Sequence, residues 1–217
     1  MVELDRHARI YVAGHRGLVG SAIVRRLQAE GFDHLLTATR EQLDLRDQGA
    51  VNTWFESHRP DYVFLVAGTV GGILANSTYP ADFLRDNLLM QMNVIHQAWA
   101  HKVKRLLYFG SSCIYPRDCP QPIKEDYFLT GPLEPTNQPY AVAKIAGIEL
   151  CRTYRRQYGC DFISALPANL YGPGDRYDLG QGHVVAALMM KIHAAREARA
   201  DTVALWGSGT PRREFLF

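Results

Sequence analysis

"RIYVAGHRGLVG", residues 9–20, decides the fold. Its first half is a short apolar run of the kind a strand buried on both faces shows. Its second half spaces Gly14, Gly17 and Gly20 as G-x-x-G-x-x-G, ahead of an apolar-periodic stretch that predicts a helix over 18–30, ending at Gly31. Strand, glycine turn and helix in that order form a cradle for a dinucleotide. Gly14 permits the tight turn, Gly17 lets backbone approach a pyrophosphate, and Gly20 allows helix and strand to pack closely. The first helical residues, Leu18 and Val19, then turn their free N–H groups to the anion.

The same alternation continues outward. Strands are predicted over 34–40, 61–68, 105–110 and 161–166. Between them lie a helix capped by Asp47 and running to about 58, one over 81–101 with Pro80 at its start, and one over 140–158. Repeated β-α-β units with apolar strands mean α/β architecture, a Rossmann-type doubly wound parallel sheet covered on both faces. The reading divides the chain into a dinucleotide-binding domain over 1–166 and a smaller substrate region over 167–217, which carries one further helix from about 183. That region ends on an apolar, strand-like run without turn or cap, so it reads as an incomplete lobe. The proline-rich connection over 112–139 is too long for a simple turn, and such connections are often functional.

Composition narrows the function. A formal net charge of +2 gives no electrostatic footprint for nucleic acid. No apolar run reaches membrane-spanning length, and "MVELDRHARI" lacks the apolar core of a secretion signal. Cys113, Cys119, Cys151 and Cys160 form no C-x-x-C pair and show no metal-ligand spacing, as in a cytoplasmic protein with reduced thiols and no metal.

The end of the second strand selects the dinucleotide. An NAD site usually has an acidic residue there; this chain reads "TATR", ending in Arg40, with Arg16 in the glycine loop. Two guanidinium groups suit the 2′-phosphate of NADP(H). Glu41 is expected to point the other way if the strand continues, and Asp44 and Leu45, at the next strand's end, to meet the adenine. The plain alternative for Arg40 is a solvated surface charge.

"YAVAK" sets Tyr140 and Lys144 four apart at a helix start, on one face. The ammonium is expected to lower the phenol's pKa. With a serine from "GSSCIYP" (residues 110–116) this makes a carbonyl-reducing centre: serine on the carbonyl oxygen, tyrosine as proton donor, lysine on the ribose. If the chain stays extended past Ser111, Cys113 lies beside the carbons that flank the carbonyl.

Together with "VGGI-ANSTYPADF", "LEPTNQPYAVAKIAGIELC", "NLYGPGD" and "WGSGTPRREF", these motifs resemble the extended short-chain dehydrogenase/reductases that work on nucleotide sugars, from about residue 9 to residue 217. The longer motifs are similar to the branch that epimerises and reduces a GDP-linked keto sugar. The resemblance implies GDP-4-keto-6-deoxy-D-mannose as substrate, epimerised at C3 and C5 and then reduced at C4 with NADPH. It implies Ser111, Tyr140 and Lys144 as the reducing triad and Cys113 with His183 as the proton-moving pair. It also implies Pro167, Asn169, Leu170 and His183 at the cofactor, and Asn169, Lys191, Trp206 and Arg213 along the GDP-sugar. A homodimer through the helices over 81–101 and 140–158 follows from the same likeness. One departure is Thr69, where related sequences usually carry lysine. Two other readings stand beside this one. A nucleotide-sugar 4-epimerase or 4,6-dehydratase of the same fold is disfavoured by the missing acidic residue after the second strand. A truncated, non-catalytic NADP-binding protein is disfavoured by the intact triad.

Overall fold

The computed structural model describes residues 5–178, 182–205, 207–210 and 212–217. Five parallel strands form one sheet: β1 (Ile10–Ala13), β2 (Leu35–Leu36), β3 (Tyr62–Leu65), β4 (Arg105–Phe109) and β5 (Phe162–Ala165), in the order β2-β1-β3-β4-β5. The order reverses between β1 and β3, so the chain leaves those two strands in opposite directions and opens a crevice at their carboxyl ends. All four residues of β1 are buried, as the unbroken apolar run predicts.

The helices are α1 (Leu18–Ala29), α2 (Gln48–His58), α3 (Ile73–Thr78), α4 (Pro80–Ala100), α5 (Gln138–Tyr158) and α6 (Val184–Glu197). Asp47 caps α2 as expected, its Oδ1 accepting from the Ala50 N–H at 2.9 Å. Pro80 opens α4, where a missing N–H costs nothing. Among the described residues, no helix is long and apolar enough to cross a membrane.

The rotation of α5 is fixed by close packing. A Cβ on Gly147 would sit 2.4 Å from Cζ of Tyr108 on β4, so only glycine lets the strand's ring lie flat against the helix. The buried Tyr108 hydroxyl donates to Gln91 Oε1 of α4 at 2.7 Å, and Gln91 Nε2 donates to the Ala143 carbonyl of α5 at 2.7 Å. Strand and both helices are thereby locked one residue from Lys144.

Three expectations need correction. The second strand spans two residues rather than 34–40. It is an edge strand paired only with β1, and the Thr39 carbonyl then accepts from the N–H groups of Gln42 and Leu43, turning the chain out of the sheet. The third strand ends at Leu65, and the chain beyond it forms a loop into α3, a six-residue helix too short for periodicity to reveal. After β5, a separate parallel pair forms from β6 (Asn169–Leu170) and β7 (Phe215–Leu216), of which only the second was legible as strand-like.

Candidate active site

A cleft of about 550 Å³ runs along the carboxyl ends of the central strands, from the glycine turn to the start of α5. Gly14 has φ +93°, and a Cβ there would meet the Ala67 backbone nitrogen at 2.7 Å. A Cβ on Gly20 would lie 2.1 Å from the Gly14 carbonyl oxygen, so helix and turn can touch only through a glycine. Gly17 differs. A Cβ there would meet only the Gly14 oxygen, at 3.5 Å, so nothing within the chain forbids a side chain. What glycine leaves open at Gly17 is the cleft, the space a pyrophosphate needs. Leu18, Val19 and Gly20 line it, and α1 has no side-chain cap, so its first N–H groups face the space unpartnered by the helix. These residues fit a bound dinucleotide.

The far end of that half carries charge. Arg40, Asp44 and Leu45 line the cleft. Arg16, expected beside Arg40, is exposed and lies outside the lining. Arg40 lines the cleft and Arg16 stands outside that lining, both close enough to act on the Glu41 carboxylate. Glu41 also departs from expectation. Because β2 stops early, its carboxylate sits in a turn, held below its usual range first by its own backbone N–H, with Arg16 and Arg40 adding to the effect. It does not point away from the two arginines. Asp44 and Leu45 follow this turn rather than ending a strand.

Sequence reasoning missed Arg46. Its guanidinium reaches Asp44 (Nη2 to Oδ2, 2.6 Å) and Asp86 of α4 (Nη1 to Oδ2, 3.0 Å), and all three line the cleft. A signal existed: Asp86 and Asn87 stand on the face of α4 that also carries buried Phe83 and Val94, where ionic and polar side chains need partners. Asn87 holds the loop after β3, accepting from the Thr69 N–H at 3.0 Å and donating to the Thr69 carbonyl at 2.9 Å. Thr69 thus meets the cleft through a backbone tied to α4.

At the opposite end, Ser111, Tyr140 and Lys144 line the cleft together. Lys144 Nζ donates to the Phe109 carbonyl at 2.8 Å and stands 5.0 Å from the Tyr108 ring centroid and 5.7 Å from that of Tyr140. Burial raises the Tyr140 phenol well above its usual pKa, the nearby Cys113 adds to this, and the Ser111 hydroxyl offsets part of it. That reverses the expected lowering by Lys144, whose ammonium is spent on the Phe109 carbonyl. A phenol so held is protonated at neutral pH, the form that can donate.

The backbone past Ser111 is not extended. Ser112–Ile114 form a 3₁₀ turn, with the Cys113 N–H donating to Ser111 Oγ at 3.4 Å. Cys113 is half-buried, is not among the residues lining the cleft, and lies near Ser111, Tyr140 and Lys144. Burial raises its thiol above the ordinary value; the Ser111 hydroxyl and the Lys144 ammonium pull it back in part.

Pro167, Asn169 and Leu170 line the cleft, with Asn169 Nδ2 donating to the Glu214 carbonyl at 3.1 Å. His183, at the N-cap of α6, is exposed and also lines it. Lys191 and Arg213 do not: Lys191 Nζ donates to the Ala204 carbonyl at 3.4 Å, and Arg213 is exposed, bonded to the Arg212 carbonyl at 2.7 Å. Trp206 lies outside the described residues. Among the described residues, His7, Asp33 and His34 are grouped closely enough for a metal ion, but all are exposed and stand at the amino ends of the strands, away from the cleft.

Lys144 gives the site a pH signature. It is 4% exposed, and burial lowers its ammonium from 10.5 to about 8. Below pH 8 both folded and unfolded chains hold the proton, and burying the charge is a constant penalty. Between about pH 8 and 10.5 the unfolded chain binds it and the folded chain does not, so stability from this group rises with pH. The shift corresponds to roughly 3 kcal/mol, offset by the roughly 1 kcal/mol bond to Phe109. Lys144→Met should therefore melt higher than wild type at pH 7, with the gap closing toward pH 10. Parallel melting curves at every pH would overturn the assignment of a strained ammonium.

Residues 10–217 match the NAD dependent epimerase/dehydratase family. The chain is 56% identical to GDP-L-fucose synthase 1 of Arabidopsis thaliana over 98% of its own length and 66% of that protein's. It is 52% identical to GDP-L-fucose synthase of Escherichia coli K12 over 96% of its own length and 65% of that protein's. The chain thus spans about two thirds of the length of these curated relatives. Among solved structures, the GDP-mannoheptose C4 reductase MlghC of Campylobacter jejuni, with NADP bound, superposes with a TM-score of 0.90 at 36% identity, covering 99% of this chain and 72% of that one. Glycine turn, strand order and sequence agree, and the chain belongs to the NAD dependent epimerase/dehydratase family.

Proposed function

We propose that this cleft binds NADP(H) and that the chain carries the reducing and proton-moving side chains for GDP-4-keto-6-deoxy-D-mannose, the activity of a GDP-L-fucose synthase. The observation that carries the reading is the convergence of Ser111, Tyr140 and Lys144 at one end of a cleft whose other end is the glycine turn. The high identity to proteins named GDP-L-fucose synthase supports the choice of substrate.

When bound, the reduced nicotinamide supplies hydride to the C4 carbon. Everything else falls to the chain. The N-terminus of α1 holds the pyrophosphate and Arg40 the 2′-phosphate. Ser111 orients the C4 carbonyl oxygen, Tyr140 donates the proton it needs on reduction, and Lys144 meets the ribose while keeping the local field positive. The same carbonyl acidifies C3 and C5. In this reading Cys113 takes a proton from one face, and His183, which lines the cleft, returns one to the other. Asn169 meets the substrate from β6, and Lys191, Trp206 and Arg213 belong to the GDP-sugar side in the same reading. Residues 1–166 then form the dinucleotide domain and 167–217 part of the substrate region. Exposed Leu89, Met92 and Val142 on α4 and α5 support a homodimer through those helices, and four free thiols support a cytoplasmic setting.

Cofactor preference tests this reading. NADPH should bind the wild-type chain more tightly than NADH by fluorescence titration. Arg40→Ala should shrink the gap by about 1.5–3 kcal/mol, the worth of a charge-assisted contact. Equal affinities in the wild-type protein would overturn the NADP(H) assignment.

A further inference from the structure

The Lys144 ammonium is buried without a counter-ion among the groups that face it. These are Tyr108 and the Phe109 carbonyl of β4, Tyr140 of its own helix, Cys113 beyond β4, and Gly68 after β3, which brings Asn87 of α4 close by. Tyr108, Tyr140 and Cys113 are the ones that titrate, and burial raises all three, so they stay protonated at neutral pH. An ammonium so placed needs other stabilisation. One N–H bonds the Phe109 carbonyl at 2.8 Å. The Tyr108 ring, with its centroid 5.0 Å from Nζ, supplies more, because a π face attracts a cation most strongly where water is excluded.

The two tyrosines beside Lys144 have opposite fates. Tyr140 lines the cleft, whereas Tyr108 is 1% exposed and its hydroxyl is consumed in the bond to Gln91 Oε1 at 2.7 Å. Gln91 is fixed in turn, through Nε2, on the carbonyl of Ala143, the residue before Lys144. On its other side the Tyr108 ring lies against Gly147, one helical turn after Lys144, where no Cβ could stand. Tether and glycine together fix the ring between α4 and α5, with the ammonium over its face. A leucine at this position would fill space and offer no negative face; a phenylalanine would keep the face and lose the tether.

We infer that Tyr108 is the positioning residue of Lys144: held by Gln91, its ring carries the ammonium on one face while the Phe109 carbonyl takes one N–H, leaving the others to the cleft. The inference rests on the NADP(H) reading above for what those N–H groups meet, and deepens it.

Two measurements test it. The first is a melting cycle on the chain alone. At pH 7, Tyr108→Leu should lower the melting temperature by roughly 2–4 °C more in the wild-type background than in Lys144→Met, the worth of a cation on a ring. The excess should vanish toward pH 10, because the attraction acts on the charged form and is lost as the ammonium, already lowered to about 8, gives up its proton. The second is NADPH affinity by fluorescence titration against pH. Affinity should fall as pH rises through the Lys144 range, and Tyr108→Leu should move that alkaline limb down by about one pH unit. Tyr108→Phe should recover most of both effects. Gln91→Met, which frees the hydroxyl and keeps the ring, should move the limb the same way by a smaller step, so the idea does not depend on one variant folding. A purely structural ring would lower stability equally in both backgrounds and leave the limb in place. Equal drops at pH 7 therefore overturn the role, as does a limb unmoved in both Tyr108→Leu and Gln91→Met. A wild-type chain that binds no dinucleotide overturns the cofactor reading, and the melting cycle still decides Tyr108.

Discussion

Tyr140→Phe should leave NADPH binding intact and slow ketone reduction by roughly two to four powers of ten, the range general-acid catalysis contributes. The substitution keeps the aromatic ring, whose centroid stands 6.3 Å from that of Phe83 in an edge-to-face pair, so packing at the start of α5 survives. It removes only the hydroxyl. In the folded chain that hydroxyl is held as a phenol by burial. A protonated group beside Ser111 is a ready acid for an oxygen that gains charge as C4 is reduced. Its removal leaves the developing alkoxide with Ser111 alone. The proton must then come from water, which a half-buried site admits poorly. Epimerisation should weaken too, because the same hydroxyl would stabilise the enolate formed when C3 or C5 loses a proton. The measurement is NADPH oxidation with GDP-4-keto-6-deoxy-D-mannose supplied, set against NADPH affinity. An unchanged oxidation rate would count decisively against Tyr140 as the acid.

Much of this site was legible because its parts obey local rules. Gly14, Gly17 and Gly20 follow a strand and precede a helix, and that context fixes their roles almost residue by residue. Tyr140 and Lys144 share a face because they stand one helical turn apart. Other features depended on neighbours distant in sequence. Tyr140 was expected to have a lowered pKa from its spacing to Lys144, yet Lys144 turns to the Phe109 carbonyl, thirty-five positions away along the chain, and burial then dominates. Glu41 was misjudged because the second strand was taken to run to Arg40, and an edge strand with one partner stops where turn bonding begins. Arg46 was overlooked because its meaning lies in Asp86, on a helix that reads simply as amphipathic. Local pattern gives the fold and nominates residues for the site; non-local pairing decides charge state and direction.

Cys113 combines both kinds of information, and its substitution carries the other large effect. Cys113→Ser should abolish or greatly slow deuterium uptake from heavy water at C3 and C5, while part of the C4 reduction survives and yields an unepimerised sugar. Spacing from Ser111 and the family likeness suggested the role, and the 3₁₀ turn over Ser112–Ile114 leaves a half-buried thiol that is not among the residues lining the cleft. Its raised pKa means that the thiolate is a minor species at neutral pH, and its fraction grows about tenfold per pH unit below that pKa. Wild-type exchange should therefore climb with pH through at least pH 9, a slope that serine, with its far weaker acidity, cannot reproduce. His183→Asn should impair inversion and still permit some exchange, since Cys113 can return deuterium to the face from which it took a proton. Should exchange at both carbons proceed at the wild-type rate in Cys113→Ser, the cysteine reduces to packing beside Ser111. The chemistry would then narrow to reduction at C4, the activity named for the Campylobacter jejuni protein of matching fold. The two outcomes differ in whether a buried thiol is reached by a carbon acid. The Ser111 hydroxyl and the Lys144 ammonium, which both pull the Cys113 thiol back toward its ordinary value, favour the first outcome.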